Sequence, residues 1–119
     1  MRVLLIGASK KSERYANMAM KRLMEKKHEV VLFNPALAEI DGHPVANTFA
    51  DIGLPVDTVT VYVGPRHLEP MMDDIIALGP RRIISNPGTE SALMQKKAQE
   101  AGIEYLEACT LVLLSTGQF

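Results

Sequence analysis

The chain has 119 residues, 47% of them hydrophobic, with 13 Lys and Arg against 14 Asp and Glu. That length supports one core, residues 1–119 as a single domain, and a net charge of −1 excludes the broad basic face that duplex nucleic acid demands. The single cysteine, Cys109, excludes an intrachain disulfide and speaks against a Cys-based zinc site. Apolar runs of four or five residues fall far short of a membrane span, and the opening MRVLLIGASKK has too short an apolar part for a signal peptide. The expectation is a soluble, cytoplasmic protein of a reducing compartment.

Val3-Leu4-Leu5-Ile6 reads as a strand buried on both faces and stops at Gly7-Ala8-Ser9. Residues 15 to 26 place Tyr15, Ala16, Ala19, Met20, Leu23 and Met24 on one helical face, with polar residues opposite. Glu29 to Phe33 is a second strand closed by Asn34-Pro35. Residues 36 to 50 are ambiguous: Asp41-Gly42 marks a turn between Ile40 and Val45, and Phe49 to Ile52 suits one helical turn.

Asp57 to Val63 is a third strand ended by Gly64-Pro65. Leu68, Met71, Met72, Ile75 and Ile76 follow helical spacing and are core positions. Arg82 to Ser85 is a fourth strand, followed by Asn86-Pro87-Gly88. Thr89 then suits an N-cap with Glu90 in the first turn, and Gly102 sits where the helix should close. Ile103 to Leu106 is a short fifth strand, and Leu111 to Leu114 is apolar but too short to assign. This alternation implies a parallel sheet with helices on both faces.

In such sheets ligands bind beyond the carboxyl ends of the strands. Four strand ends here carry special backbone chemistry: Gly7-Ala8-Ser9, Asn34-Pro35, Gly64-Pro65 and Asn86-Pro87-Gly88. Every strand end needs a turn, but their convergence on one edge points to a ligand. The first loop points to phosphate. Gly7 lets backbone approach a ligand without a Cβ in the way, the helix after it offers free N–H groups, and Ser9 and Ser12 add hydroxyls. Lys10, Lys11 and Arg14 place three cations in five residues, the mark of an anionic ligand unless they are simply a solvated basic run.

NAD fits poorly. The loop GASKKSER keeps only the first glycine of G-x-G-x-x-G, and Asn34 stands where an acid would hold the ribose diol. Cys109 as a nucleophile would need a basic partner, with His67 the one candidate; a lone cysteine is more often a small buried hydrophobe. No His, Asp and Glu cluster has metal-ligand spacing, and Glu69, Asp73 and Asp74 read as a solvated acidic face.

The runs VLLIGAS at 3–9, YANMAMKRL at 15–23, EVVLFNP at 29–35, DTVTVYVGP at 57–65 and NPGTE at 86–90 together resemble the CoA-binding domain family. These are small bacterial proteins similar to the N-terminal domain of the succinyl-CoA synthetase α subunit. The resemblance spans roughly residues 2–114 and implies a three-layer Rossmann-like α/β fold whose parallel five-stranded sheet has the order 3-2-1-4-5. It implies CoA or acyl-CoA as the ligand: Gly7, Ala8, Ser9, Lys10, Lys11, Arg14 and Tyr15 toward the phosphates, and Asn34 and Pro35 along the adenine–ribose side. Tyr62, Val63, Gly64 and Pro65 would lie on the nucleotide or pantetheine arm, Asn86, Pro87 and Gly88 would close the cleft, and Cys109 matches a cysteine that follows the last strand in the family.

Two departures stand out. Val63-Gly64-Pro65 replaces the family's V-P-P, and neither the synthetase's phosphohistidine nor its ATP-grasp part lies within these residues, so the resemblance implies binding without autonomous catalysis. The alternatives are an NAD(P) enzyme or redox sensor, with NADP the better fit because a lysine could reach a 2′-phosphate, or a regulatory domain whose nucleotide pocket stays empty. Covering the apolar 111–114 run by a second copy would make a homodimer.

Overall fold

The computed structural model describes residues 1–119 throughout. β1 (Arg2–Ile6) leads through α1 (Tyr15–Glu25) to β2 (Glu29–Phe33). A hairpin of β3 (Glu39–Ile40) and β4 (His43–Ala46) follows, turning on Asp41 and Gly42, which both have positive φ, as a two-residue hairpin loop prefers. After a 3-10 turn at Phe49–Asp51 come β5 (Thr58–Val61), α2 (Pro65–Leu68) and α3 (Met72–Ala77). The chain ends with β6 (Arg82–Ser85), α4 (Ala92–Glu100), β7 (Glu104–Glu107) and α5 (Thr110–Ser115).

The seven strands form one sheet in the order β3-β4-β2-β1-β5-β6-β7. All pairings are parallel except β3 with β4. The α/β class and the parallel core are as expected, but the five-stranded order 3-2-1-4-5 is corrected. The hairpin supplies the strand beside β2, pairing Leu32 with Val45 and Phe33 with Ala46. β5 instead joins the other side of β1, with Val3 opposite Thr58 and Ile6 opposite Val61. The reason is burial: all four residues of β5 are buried, which a strand achieves with neighbours at both edges and layers on both faces.

Val3, Leu5, Ala19, Met20, Leu23 and Leu114 join the face covered by α1 and α5, while Leu4, Ile6, Val59, Leu68, Ile75 and Met94 join the opposite face, under α2, α3 and α4. Burying each of the Val, Leu, Ile and Met side chains among them is worth about 1.5–3 kcal/mol.

Three local expectations change. The helix expected through Leu68 to Ile76 is broken by a 3-10 turn at Glu69–Met71, because Pro70 has no N–H to continue the ladder. The N-cap of α4 is Ser91, whose Oγ accepts from the Met94 N–H at 3.1 Å; the Thr89 hydroxyl instead donates to the Asn86 carbonyl at 2.8 Å. Residues 111–114, unassigned from sequence, lie within α5, with Thr110 and Leu114 buried.

Candidate ligand cleft at the carboxyl ends of the strands

The chain leaves β1 in a turn that crosses the end of β2. The N–H groups of Gly7 and Ala8 both donate to the Phe33 carbonyl at 3.1 Å. Gly7 has φ +89°, and a Cβ there would stand 2.8 Å from Val63 Cγ1 and 3.1 Å from the Tyr62 carbonyl carbon and oxygen. The expectation that this glycine clears space for a ligand is therefore corrected: the space belongs to the segment leaving β5. Two amides brace the loop. Asn17 Nδ2 donates to the Ser9 carbonyl and Asn34 Nδ2 to the Ala8 carbonyl, both at 2.8 Å. The Ser9 hydroxyl accepts from the Lys11 N–H at 3.2 Å.

Arg14 is the N-cap of α1 and offers no side-chain acceptor to its leading N–H groups. The Arg14 N–H donates to the Lys11 carbonyl at 3.0 Å and the Asn17 N–H to the Arg14 carbonyl at 3.1 Å, which leaves the Tyr15 and Ala16 N–H groups without a backbone partner at the positive end of the helix dipole.

Around this loop lies a cavity of about 290 Å³ lined by Gly7, Ser9, Lys11, Arg14, Tyr15, Ala16, Tyr62, Pro87 and Thr89. It has two cationic side chains and no carboxylate. A second chamber of about 250 Å³ is lined by Tyr15, Tyr62, Asn86, Pro87 and Cys109 and has no Asp, Glu, Lys, Arg or His in its wall. Tyr15, Tyr62 and Pro87 belong to both, so the two chambers form one cleft with a charged part and an uncharged part. A hollow of about 410 Å³ elsewhere is larger, but its wall runs along β2 and β4, from Glu29 to Leu32 and from Pro44 to Ala46, and shares no residue with this cleft.

Of the residues singled out in the sequence, Gly7, Ser9, Lys11, Arg14, Tyr15, Tyr62, Asn86, Pro87 and Cys109 line the cleft. The others lie outside its lining. Lys10 is exposed, and Ala8 is buried behind the loop. Asn34 bonds with both ends of its amide, since its Oδ1 also accepts from the Ala36 N–H at 2.8 Å, and Pro35 is exposed. Val63 sits against Gly7. Gly64 is the N-cap of α2 and Pro65 its first residue. The Gly88 N–H donates to Glu90 Oε1 at 2.9 Å. His67 is exposed and absent from both walls, so the cleft does not bring a Cys109–His67 pair together. Ala16 and Thr89 are lining residues that sequence reasoning missed.

Behind the uncharged chamber, three polar side chains form a closed ring. Asn86 Nδ2 donates to Thr60 Oγ1 and to the Val61 carbonyl, each at 2.8 Å. The Thr60 and Thr110 hydroxyls bond each other at 2.8 Å, and the Thr110 N–H returns to Asn86 Oδ1 at 2.8 Å. The ring ties β5, β6 and α5 together beneath the cleft. Tyr62 stands beside it, its buried hydroxyl close to those of Thr110 and Thr60. Burial pushes the phenol up to about 12, so it is protonated at neutral pH. No group of three or more His, Cys, Asp or Glu gathers anywhere to hold a metal ion, and no helix is long and apolar enough to cross a membrane.

The CoA binding domain family matches residues 1–115 of the chain. Among solved structures, an uncharacterized protein is 36% identical, with a TM-score of 0.94, 99% of this chain and 97% of that one covered. A hypothetical protein from Pyrococcus horikoshii OT3 is 29% identical, with a TM-score of 0.90, 96% of this chain and 81% of that one covered. A dinucleotide forming acetyl-coenzyme A synthetase 1 of Ca. Korarchaeum cryptofilum shares the fold at 18% identity and a TM-score of 0.75, with 90% of this chain matched to 25% of that one. No curated protein matches the chain.

Proposed function

The chain belongs to the CoA-binding domain family, and from that premise we propose that it binds coenzyme A or an acyl-CoA as a module without catalysis of its own. The observation that carries this reading is the division of the cleft. Lys11, Arg14 and the uncapped start of α1 border one chamber, and an uncharged chamber joins it across Tyr15, Tyr62 and Pro87. Coenzyme A has the same division, with a polyanionic nucleotide at one end and a neutral, thiol-ended arm at the other. Phosphate oxygens suit the free amides and cations of the first chamber; the arm suits the second.

The residues fit this ligand better than a dinucleotide. An NAD site uses an acid at the end of the second strand to hold the ribose diol. Here that position is Asn34, a neutral amide that bonds the Ala8 carbonyl and the Ala36 N–H.

Thermal denaturation with CoA, NAD and NADP tests the proposal. A ligand at a hundred times its Kd stabilises by about 2.7 kcal/mol, enough for a shift of several degrees in a domain of this size. CoA should raise the Tm and NAD should not. A shift with NADP and none with CoA overturns the reading, and no shift with any of them favours a domain whose pocket stays empty. Native mass spectrometry of the gently purified protein should show bound CoA species.

A further inference from the structure

The segment after β7 is tied to both ends of one strand. At the carboxyl end of β6, the Thr110 N–H donates to Asn86 Oδ1 at 2.8 Å. At its amino end, the guanidinium carbon of Arg82 stands 4.6 Å from the centre of the Phe119 ring, within cation–π range. Arg82 is 5% exposed, its Nε donates to Thr58 Oγ1 at 2.9 Å, and it forms no ion pair with a carboxylate. The His28 ring meets the same phenylalanine edge-on, with centroids 5.2 Å apart. Residues 115–118 are all exposed, so beyond Leu114 the side chain that packs back onto the protein is Phe119. α5 itself has six residues, too few for an isolated helix to be stable, and takes its position from what it touches. Those holds are the Thr110 ring at its start, the buried Leu114 and Phe119 beyond its end.

We propose that Phe119 is a positioning residue for the cleft: docked on Arg82 and His28 at the amino ends of the strands, it holds α5 and, through α5, the Cys109 wall of the uncharged chamber. Cys109 is the residue before α5 and belongs to that wall. The lining of the charged chamber contains no residue of this segment, so it does not depend on the hold. The consequence for a ligand rests on the CoA reading. With Phe119 released, the wall must be ordered when the arm enters, and that ordering costs affinity. A ligand that fills only the charged chamber escapes the cost.

Alkylation of Cys109, the single cysteine, by the small neutral reagent iodoacetamide reads the wall directly. Phe119→Ala should react roughly three- to tenfold faster than the wild type, through local opening of α5. Phe119→Tyr, which keeps the ring, should match the wild type. Ile103→Ala is the control for global destabilisation: Ile103 lies in the opposite face of the core, and its loss should leave the rate unchanged. Titration calorimetry then compares CoA with adenosine 3′,5′-bisphosphate, which keeps the charged end and lacks the arm. Phe119→Ala should bind CoA roughly three- to tenfold more weakly and the bisphosphate as tightly as the wild type. A wild-type alkylation rate or a wild-type CoA affinity in Phe119→Ala overturns the proposal. So does an equal rate in Ile103→Ala, a Phe119→Tyr as fast as Phe119→Ala, or an equal loss of affinity for both ligands. A wild type that binds no CoA overturns the CoA reading instead, and the alkylation rates still decide whether Phe119 holds the wall.

Discussion

Asn34 Nδ2 donates to the Ala8 carbonyl at 2.8 Å, so a side chain at the end of β2 holds the loop that leaves β1. This bond joins the loops leaving β1 and β2 and accounts for an amide where a dinucleotide site has an acid. The Asn34→Asp variant would replace the donor with a carboxylate facing a carbonyl. It should lose about 1–3 kcal/mol of stability by urea denaturation and gain no measurable affinity for NAD. Wild-type stability, or tight NAD binding, would show that the amide does not brace the loop.

Gly7 and Gly42 separate backbone conformation from contact. Both have positive φ, but a Cβ at Gly42 meets nothing within 4 Å, whereas one at Gly7 meets Val63 and Tyr62. Gly42→Ala should cost about 1–2 kcal/mol for its left-handed backbone. Gly7→Ala should cost more. Pairing it with Val63→Ala should recover part of the excess, with a coupling of about 0.5–3 kcal/mol, and the 3.1 Å approach to the Tyr62 backbone should keep the recovery incomplete. Equal losses at Gly7 and Gly42, with no coupling to Val63, would refute the contact.

The basic run divides by position. Lys11 and Arg14 line the charged chamber and Lys10 does not. Calorimetry at two salt concentrations should find CoA affinity lowered roughly three- to tenfold by Lys11→Ala or Arg14→Ala, a partly exposed charge contact being worth about 1 kcal/mol. The salt dependence should be shallower in both. Lys10→Ala should match the wild type in each respect; if it weakens binding as much as the other two, the run acts as a general field rather than through its cleft members.

The legible part of the molecule was the part governed by short-range pattern. Val3 to Ile6 is uniformly apolar and forms the strand between β2 and β5. The Asp41-Gly42 turn and the closing Gly102 were visible in the same way, and the ends of β1 and β6 were marked by the residues that line the cleft. What escaped depends on distance in sequence. β4 touches β2 through only two residue pairs, too little pattern to reveal that it displaces β5 across the sheet. Ala16 and Thr89 are a helix alanine and a buried threonine, unremarkable until folding brings them to one cavity. The bond between Thr60 and Thr110 spans 50 residues, and no local motif encodes it.

Cys109 offers a direct reading of which chamber takes the thiol end. It is a free, half-buried thiol in the wall of the uncharged chamber, and the proposed orientation brings the ligand's sulfur toward it. Incubation with the symmetrical disulfide of CoA needs no added oxidant. The Cys109 thiolate attacks one sulfur, the ligand's S–S bond breaks, and one CoA thiolate leaves. Intact-mass measurement should find one CoA added per chain, none on Cys109→Ser, and a rate at least tenfold above that with a small neutral disulfide, since binding concentrates the reacting sulfur. Adenosine 3′,5′-bisphosphate should slow the reaction by filling the charged chamber, and Lys11→Ala should slow it by weakening capture. A rate equal to that of the neutral disulfide, indifferent to the bisphosphate, would place the ligand's sulfur away from Cys109 and reverse the assignment of the two chambers.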